Sequence, residues 1–88
     1  MATVWIPALL RDLTGGRETL AVPGETVRQL IDNLDAAYPG MRERLCQDGR
    51  LRPGLAVVVD GEVSRQGLRR RLDEGSEVHF LPALSGGA

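Results

Sequence analysis

The sequence predicts a single α+β domain, a mixed sheet of about five strands covered on one face by one main helix. Three observations carry that expectation. The stretch from Val27 to Tyr38 repeats apolar residues at helical spacing, and short β-branched or aliphatic runs stand on both sides of it. Turn dipeptides separate those runs at Thr14-Gly15-Gly16, Pro23-Gly24 and Asp60-Gly61. The chain has 88 residues, too few for two cores; a domain of this size buries roughly 60–65% of its unfolded surface.

Thr3-Val4-Trp5-Ile6-Pro7 is a β-branched and aromatic run that stops at proline, a first strand. Leu9, Leu10 and Leu13 lead from it into Thr14-Gly15-Gly16, a turn whose glycines can take positive φ. Glu18 to Val22 alternates polar and apolar residues and forms a hairpin with the first strand across a long connection.

Thr26 opens the helix, placed to accept from the backbone N–H of Gln29 in capping-box spacing. Val27, Leu30, Ile31, Leu34 and Tyr38 share one face, while Asp32, Asn33 and Asp35 point away. Tyr38-Pro39-Gly40 ends it. A short helical turn is expected from Met41 to Cys46, with Met41 and Leu45 inward, and Gln47 to Gly54 reads as a loop.

Leu55 to Val59 is a dense aliphatic strand, Asp60-Gly61 a hairpin turn, and Glu62-Val63 a short return strand. Leu68 and Leu72 anchor an irregular, arginine-rich stretch that ends at Gly75. The last strand is Glu77 to Leu81, with Val78 and Phe80 on one face and His79 and Leu81 on the other. Two strands, one good helix, two strands and a final strand make a β-grasp order. The final strand is expected beside the first, in the middle of the sheet, with Trp5, His79 and Leu81 facing away from the helix. The expected core is Val4, Ile6, Leu20, Val27, Leu30, Ile31, Leu34, Val57, Val59, Val78 and Phe80.

Composition narrows the function. A net charge of −1 lacks the basic excess of a nucleic-acid binder, and no apolar run approaches the roughly 20 residues of a membrane span. The N-terminus has no signal-peptide pattern, and the lone Cys46 has no internal disulfide partner. A cytoplasmic protein is expected. All 11 basic residues are arginine, so the chain offers no side-chain amine for an isopeptide bond.

Catalytic pairing is not suggested. His79 and Cys46 lie far apart in sequence, no Cys/His cluster has metal-ligand spacing, and Thr14-Gly15-Gly16 lacks the Lys-Ser/Thr sequel of a phosphate loop. No metal or cofactor is expected. Cys46 reads as a small buried hydrophobe, His79 as a solvated strand residue, and Arg69-Arg70-Arg71 as a solvated loop or a dock for an acidic partner.

The C-terminal segment 83–88 is the remaining candidate, a flexible tail that runs through Ser85, Gly86 and Gly87 to Ala88. Two glycines give a backbone without side chains, able to thread a narrow tunnel beside another protein's catalytic groups. An ordinary mobile terminus would carry the same residues.

Over nearly its full length the chain resembles the MoaD/ThiS family of ubiquitin-like sulfur carriers, and within it the CysO branch. The resemblance lies in Ile6-Pro7 with Leu10-Arg11, Leu13-Thr14-Gly15-Gly16, the helix from Thr26 to Leu34 and Tyr38-Pro39-Gly40. It continues in Gly75-Ser76-Glu77-Val78 and in Phe80-Leu81-Pro82-Ala83-Leu84-Ser85-Gly86-Gly87. The resemblance implies a non-enzymatic carrier whose terminal glycine is adenylated by an E1-like adenylyltransferase/sulfurtransferase. A sulfur donor then makes a thiocarboxylate, and a sulfur-accepting synthase takes the sulfur. Cysteine biosynthesis is the implied destination, with molybdopterin, thiazole or secondary-metabolite thiolation open beside it.

Carried over, Gly87 is the adenylation and thiocarboxylate site, Gly86 and Ser85 are its tail, and Leu81 is a docking residue on the last strand. Trp5 and His79 join Leu81 in the expected docking patch. The family's mature form ends at the second glycine, whereas here Ala88 follows and occupies the carboxyl of Gly87. Removal of Ala88, by a JAMM-type metalloprotease in some relatives, would free it. A ubiquitin-like modifier conjugated through Gly87 and an inert β-grasp binding module are the alternatives.

Overall fold

The computed structural model describes residues 1–82. Strands β1 (Ala2–Trp5) and β2 (Thr19–Val22) form the expected antiparallel hairpin, in register Val4 to Leu20 and Trp5 to Thr19. The long connection between them is a 3-10 helix, Ala8–Thr14, closed by Gly15 in the left-handed conformation at φ 68°. The buried Thr14 hydroxyl sits 3.1 Å from the Arg11 carbonyl and 3.0 Å from that of Arg17, which ties both ends of this turn together.

Helix α1 (Val27–Ala37) starts as its capping spacing predicts, with the Thr26 hydroxyl accepting from the Gln29 N–H at 3.2 Å. Asn33 adds a donor bond to the Pro23 carbonyl, which holds the entry turn against the helix. Helix α2 (Met41–Leu45) buries Met41 and Leu45 as expected. Asp35 anchors its start, accepting from the backbone N–H of Gly40 at 3.1 Å and of Arg42 at 3.0 Å.

The stretch Gln47 to Gly54 is not the plain loop the sequence suggests. Strands β3 (Cys46–Gln47) and β4 (Arg50–Leu51) form a small hairpin around Asp48-Gly49, whose φ values of 54° and 75° are both left-handed. Positive φ at both central residues is what a tight two-residue hairpin needs, and Asp-Gly supplies it cheaply.

Strand β5 (Leu55–Val59) turns at Asp60-Gly61 into β6 (Glu62–Val63), and a 3-10 turn at Gly67–Arg69 leads toward the last strand, β7 (Glu77–Pro82). The five-stranded sheet has the order β2-β1-β7-β5-β6. As expected, β7 lies in the middle, parallel to β1 and antiparallel to β5. A parallel pair requires a long crossover, and α1 with the segments after it provides that crossover while covering one sheet face.

The core lies between that face and α1. Every residue of the expected core is buried, joined by Ala2, Leu10, Val22, Met41 and Leu45. Gly24 lets the chain pass close to the helix: a Cβ there would stand 2.7 Å from the Leu30 backbone nitrogen.

Candidate interaction surface

Side chains alternate across a strand, so burying Val4, Val78 and Phe80 sends Trp5, His79 and Leu81 to the opposite face. Pairing then sets their neighbours. Trp5 lies beside His79, His79 beside Val58, and Val58 beside Val63, while Leu81 lies beside Ala56. The helix-free face thus carries a band of aromatic and aliphatic side chains crossing the sheet. Trp5 is 40% exposed and Leu81 47%.

His79 departs from the solvated strand residue expected of it. It is half-buried, its ring stacked on Trp5 with centroids 5.1 Å apart and planes 8° from parallel. Between them the two rings cover a continuous plate over the central strands.

The band continues around the end of β1. There Trp5, Pro7, Leu9, Arg11, Leu81 and Pro82 line a shallow groove of about 400 Å³. Leu9, at 87% exposure, stands at its rim on the 3-10 helix. Arg11 gives the groove a cation: its Nε donates to the Ile6 carbonyl at 3.2 Å, and its Nη2 is 3.7 Å from Glu18.

Sequence reasoning missed Leu9, Val58 and Val63 as members of this surface. Val58 and Val63 could have been found, because a two-residue turn at Asp60-Gly61 sets those two valines opposite one another. Leu9 left no such signal. Its exposure follows from a 3-10 turn that buries Leu10 and Thr14 instead.

The other expected site residues, Ser85, Gly86, Gly87 and Ala88, lie outside the described residues. The groove reaches Pro82, so the segment that carries them continues from the edge of this surface.

Cys46 belongs elsewhere. It is half-buried and lines a separate recess of about 230 Å³ with Arg28, Ile31, Arg42 and Leu68, sharing no residue with the groove. Burial pushes its thiol above 9.0, against the opposing pull of the Arg42 charge. A thiol held protonated is a poor nucleophile at neutral pH. Among the described residues no three His, Cys, Asp or Glu side chains converge as metal ligands, and no helix is long and apolar enough to cross a membrane.

The plate is aromatic and aliphatic, with Arg11 as a cation in the groove beside it. A β-grasp sheet with such a plate beside its C-terminal strand defines a ubiquitin-like protein. The ThiS family model matches residues 4–87, and the chain belongs to that family. The sulfur carrier protein CysO of Mycobacterium tuberculosis is 37% identical to it over 97% of each chain. A chain in the crystal structure of the Amycolatopsis orientalis BexX/CysO complex matches with a TM-score of 0.90 at 34% identity, covering 99% of this chain and 100% of that one. Small archaeal modifier protein 3 of Haloferax volcanii is 34% identical over 70% of each chain. These relatives are small carriers and modifiers, and the coarse function of the chain is that of a sulfur carrier, not a catalyst.

Proposed function

We propose that the chain carries sulfur as a thiocarboxylate on Gly87, formed after loss of Ala88. The free carboxylate of Gly87 attacks the α-phosphorus of ATP and pyrophosphate leaves. Sulfide then displaces AMP from the carbonyl carbon and leaves the thiocarboxylate. A persulfide donor first gives an acyl disulfide, which a second thiol of the partner cleaves to the thiocarboxylate and a partner disulfide. Both steps belong to an E1-like partner; this chain supplies the carboxylate and the surface that presents it. The observation carrying this reading is the stacked Trp5–His79 plate with Leu81, exposed on the strand that runs on toward Gly87. A partner gripping that plate fixes the start of the C-terminal segment, and the terminal glycines then travel a short way into its active site.

Cysteine synthesis is the acceptor pathway we favour, on the likeness to CysO along 97% of each chain. The amide to Ala88 consumes the carboxylate that must act, so a JAMM-type metalloprotease or an equivalent peptidase precedes activation. ATP–pyrophosphate exchange with a purified E1-like enzyme tests this. The chain ending at Gly87 is expected to drive exchange and the full chain to be inert; equal rates would sink the precursor reading. Mass spectrometry of the protein from its own cells should show Ala88 removed and one terminal oxygen replaced by sulfur.

The likeness to small archaeal modifier protein 3 favours a second reading, conjugation of Gly87 to lysines of other proteins. Gly-Gly remnants on cellular lysines would mark it. Neither sulfur nor remnants would leave an inert binding module.

A further inference from the structure

The 88 residues contain 11 arginines and no lysine. Within these residues the primary alkyl amine is the α-amine of Met1, which is ion-paired with the Glu74 carboxylate. Topology sets that amine at the opposite end of the last strand from Pro82. Strands β1 and β7 run parallel, Thr3 beside Glu77, and the Gly75 N–H donates to the Met1 carbonyl at 3.2 Å. Met1 therefore stands at the beginning of β7, whereas the segment bearing Gly87 continues from its end at Pro82.

Chain lengths decide whether the two can meet. Gly75 to Pro82 spans seven residue steps, about 23 Å at ~3.3 Å per step. Pro82 to Gly87 is five steps, at most about 18 Å even if fully extended straight back along the sheet. The reach falls short of the amine.

We propose that the chain is a self-inert acyl donor, one whose activated Gly87 carbonyl finds no amine of its own within reach. The inference rests on Gly87 being the acyl site. An activated glycine is attacked by any nearby unprotonated amine: the C–N bond forms, the bond to the leaving thiol or AMP breaks, and the ammonium proton passes to solvent. Arg11, in the groove that Pro82 lines, puts a cation there without that hazard, because a guanidinium does not serve as a free amine. The acyl group is thus preserved for nucleophiles that a partner brings.

The test uses a chain ending in a Gly87 thioester made by intein cleavage, so that no activating enzyme is involved. The thioester of the otherwise unchanged chain should only hydrolyse, giving the linear acid. Arg11→Lys and Leu9→Lys each put an amine in the groove that Pro82 lines, and Asp73→Lys puts one in the recess that Met1 lines. The first two should cyclise to a product lighter than the acid by one water. Their thioester should disappear about tenfold faster or more, as a tethered amine at roughly millimolar effective concentration allows. Asp73→Lys should stay linear. Cyclisation of the unchanged chain or of Asp73→Lys at the rate of Arg11→Lys would overturn the inference. So would failure of both groove lysines to cyclise in folded protein, as judged by circular dichroism. Failure of ATP–pyrophosphate exchange would instead defeat the proposed activation and leave this result standing.

Discussion

Trp5 and His79 stack face to face across the parallel pair at the centre of the sheet, with centroids 5.1 Å apart. A ring pair on a solvent-facing sheet limits each partner's rotamers and presents a flat, preorganised surface. Such surfaces lose little entropy when a partner covers them.

Leu81→Glu should leave the fold intact and weaken binding to the activating enzyme and to the sulfur acceptor. Leu81 is 47% exposed beside Ala56, so a carboxylate there meets solvent in the free chain and an apolar partner in the complex. Anchors at the centre of an interface cost about 2 kcal/mol or more when removed, about 30-fold in Kd. Calorimetric titration reads the loss, and an unchanged urea midpoint certifies the fold. Undiminished binding would return the plate to ordinary surface.

Leu34→Ala should cost about 2–4 kcal/mol of stability. Leu34 is fully buried where α1 meets the sheet, and truncation there leaves a cavity lined by neighbours that are themselves fixed by packing. Urea melts measure it. A loss below about half a kcal/mol, the range of surface substitutions, would mean that the helix re-seats itself over the gap.

Gly24→Ala should destabilise by about 1–3 kcal/mol, a penalty of overpacking with no cavity formed. The added methyl would come within 2.7 Å of the Leu30 nitrogen and 2.9 Å of its Cα, both backbone atoms that no rotamer change can move. The same substitution at Gly49 meets nothing within 4 Å and, despite its φ of 75°, lacks that clash. A thermal melt in which Gly24→Ala loses no more than a surface change would show that the turn gives way.

Periodicity made most of this architecture legible. Alternation in β1 and β7 assigned Val4, Val78 and Phe80 inward and Trp5 and Leu81 outward, because a strand has only two faces. The hairpin at Asp48-Gly49 escaped because strands of two residues have no period to read and the residues next to its turn, Gln47 and Arg50, are polar. The same Asp-Gly pair was legible at residues 60 and 61, next to the aliphatic run Leu55–Val59. Leu9 escaped for another reason: a 3-10 turn leaves one of three leucines outside, and spacing alone does not say which. The stacking of His79 depends on how two strands pair, which single-strand patterns do not contain.

Asp35 supplies the pH-dependent prediction. Its pKa is lowered from 3.8 foremost by the Arg42 backbone N–H, against desolvation, with help from the Gly40 N–H and the Arg42 charge. The unfolded chain therefore binds this proton more readily than the folded one. The stabilisation is present above the unfolded value near 3.8 and is lost as pH falls through the folded one. The carboxylate is partly exposed, so solvent screening keeps the effect modest. Asp35→Asn retains an oxygen for the Gly40 and Arg42 N–H groups but cannot titrate. Urea midpoints for both proteins should differ most near neutral pH and converge as pH falls below 3.8 and the native carboxylate takes up its proton. Parallel curves across that range would show that Asp35 titrates alike in the folded and unfolded chains, and that the cap on α2 works through geometry rather than charge.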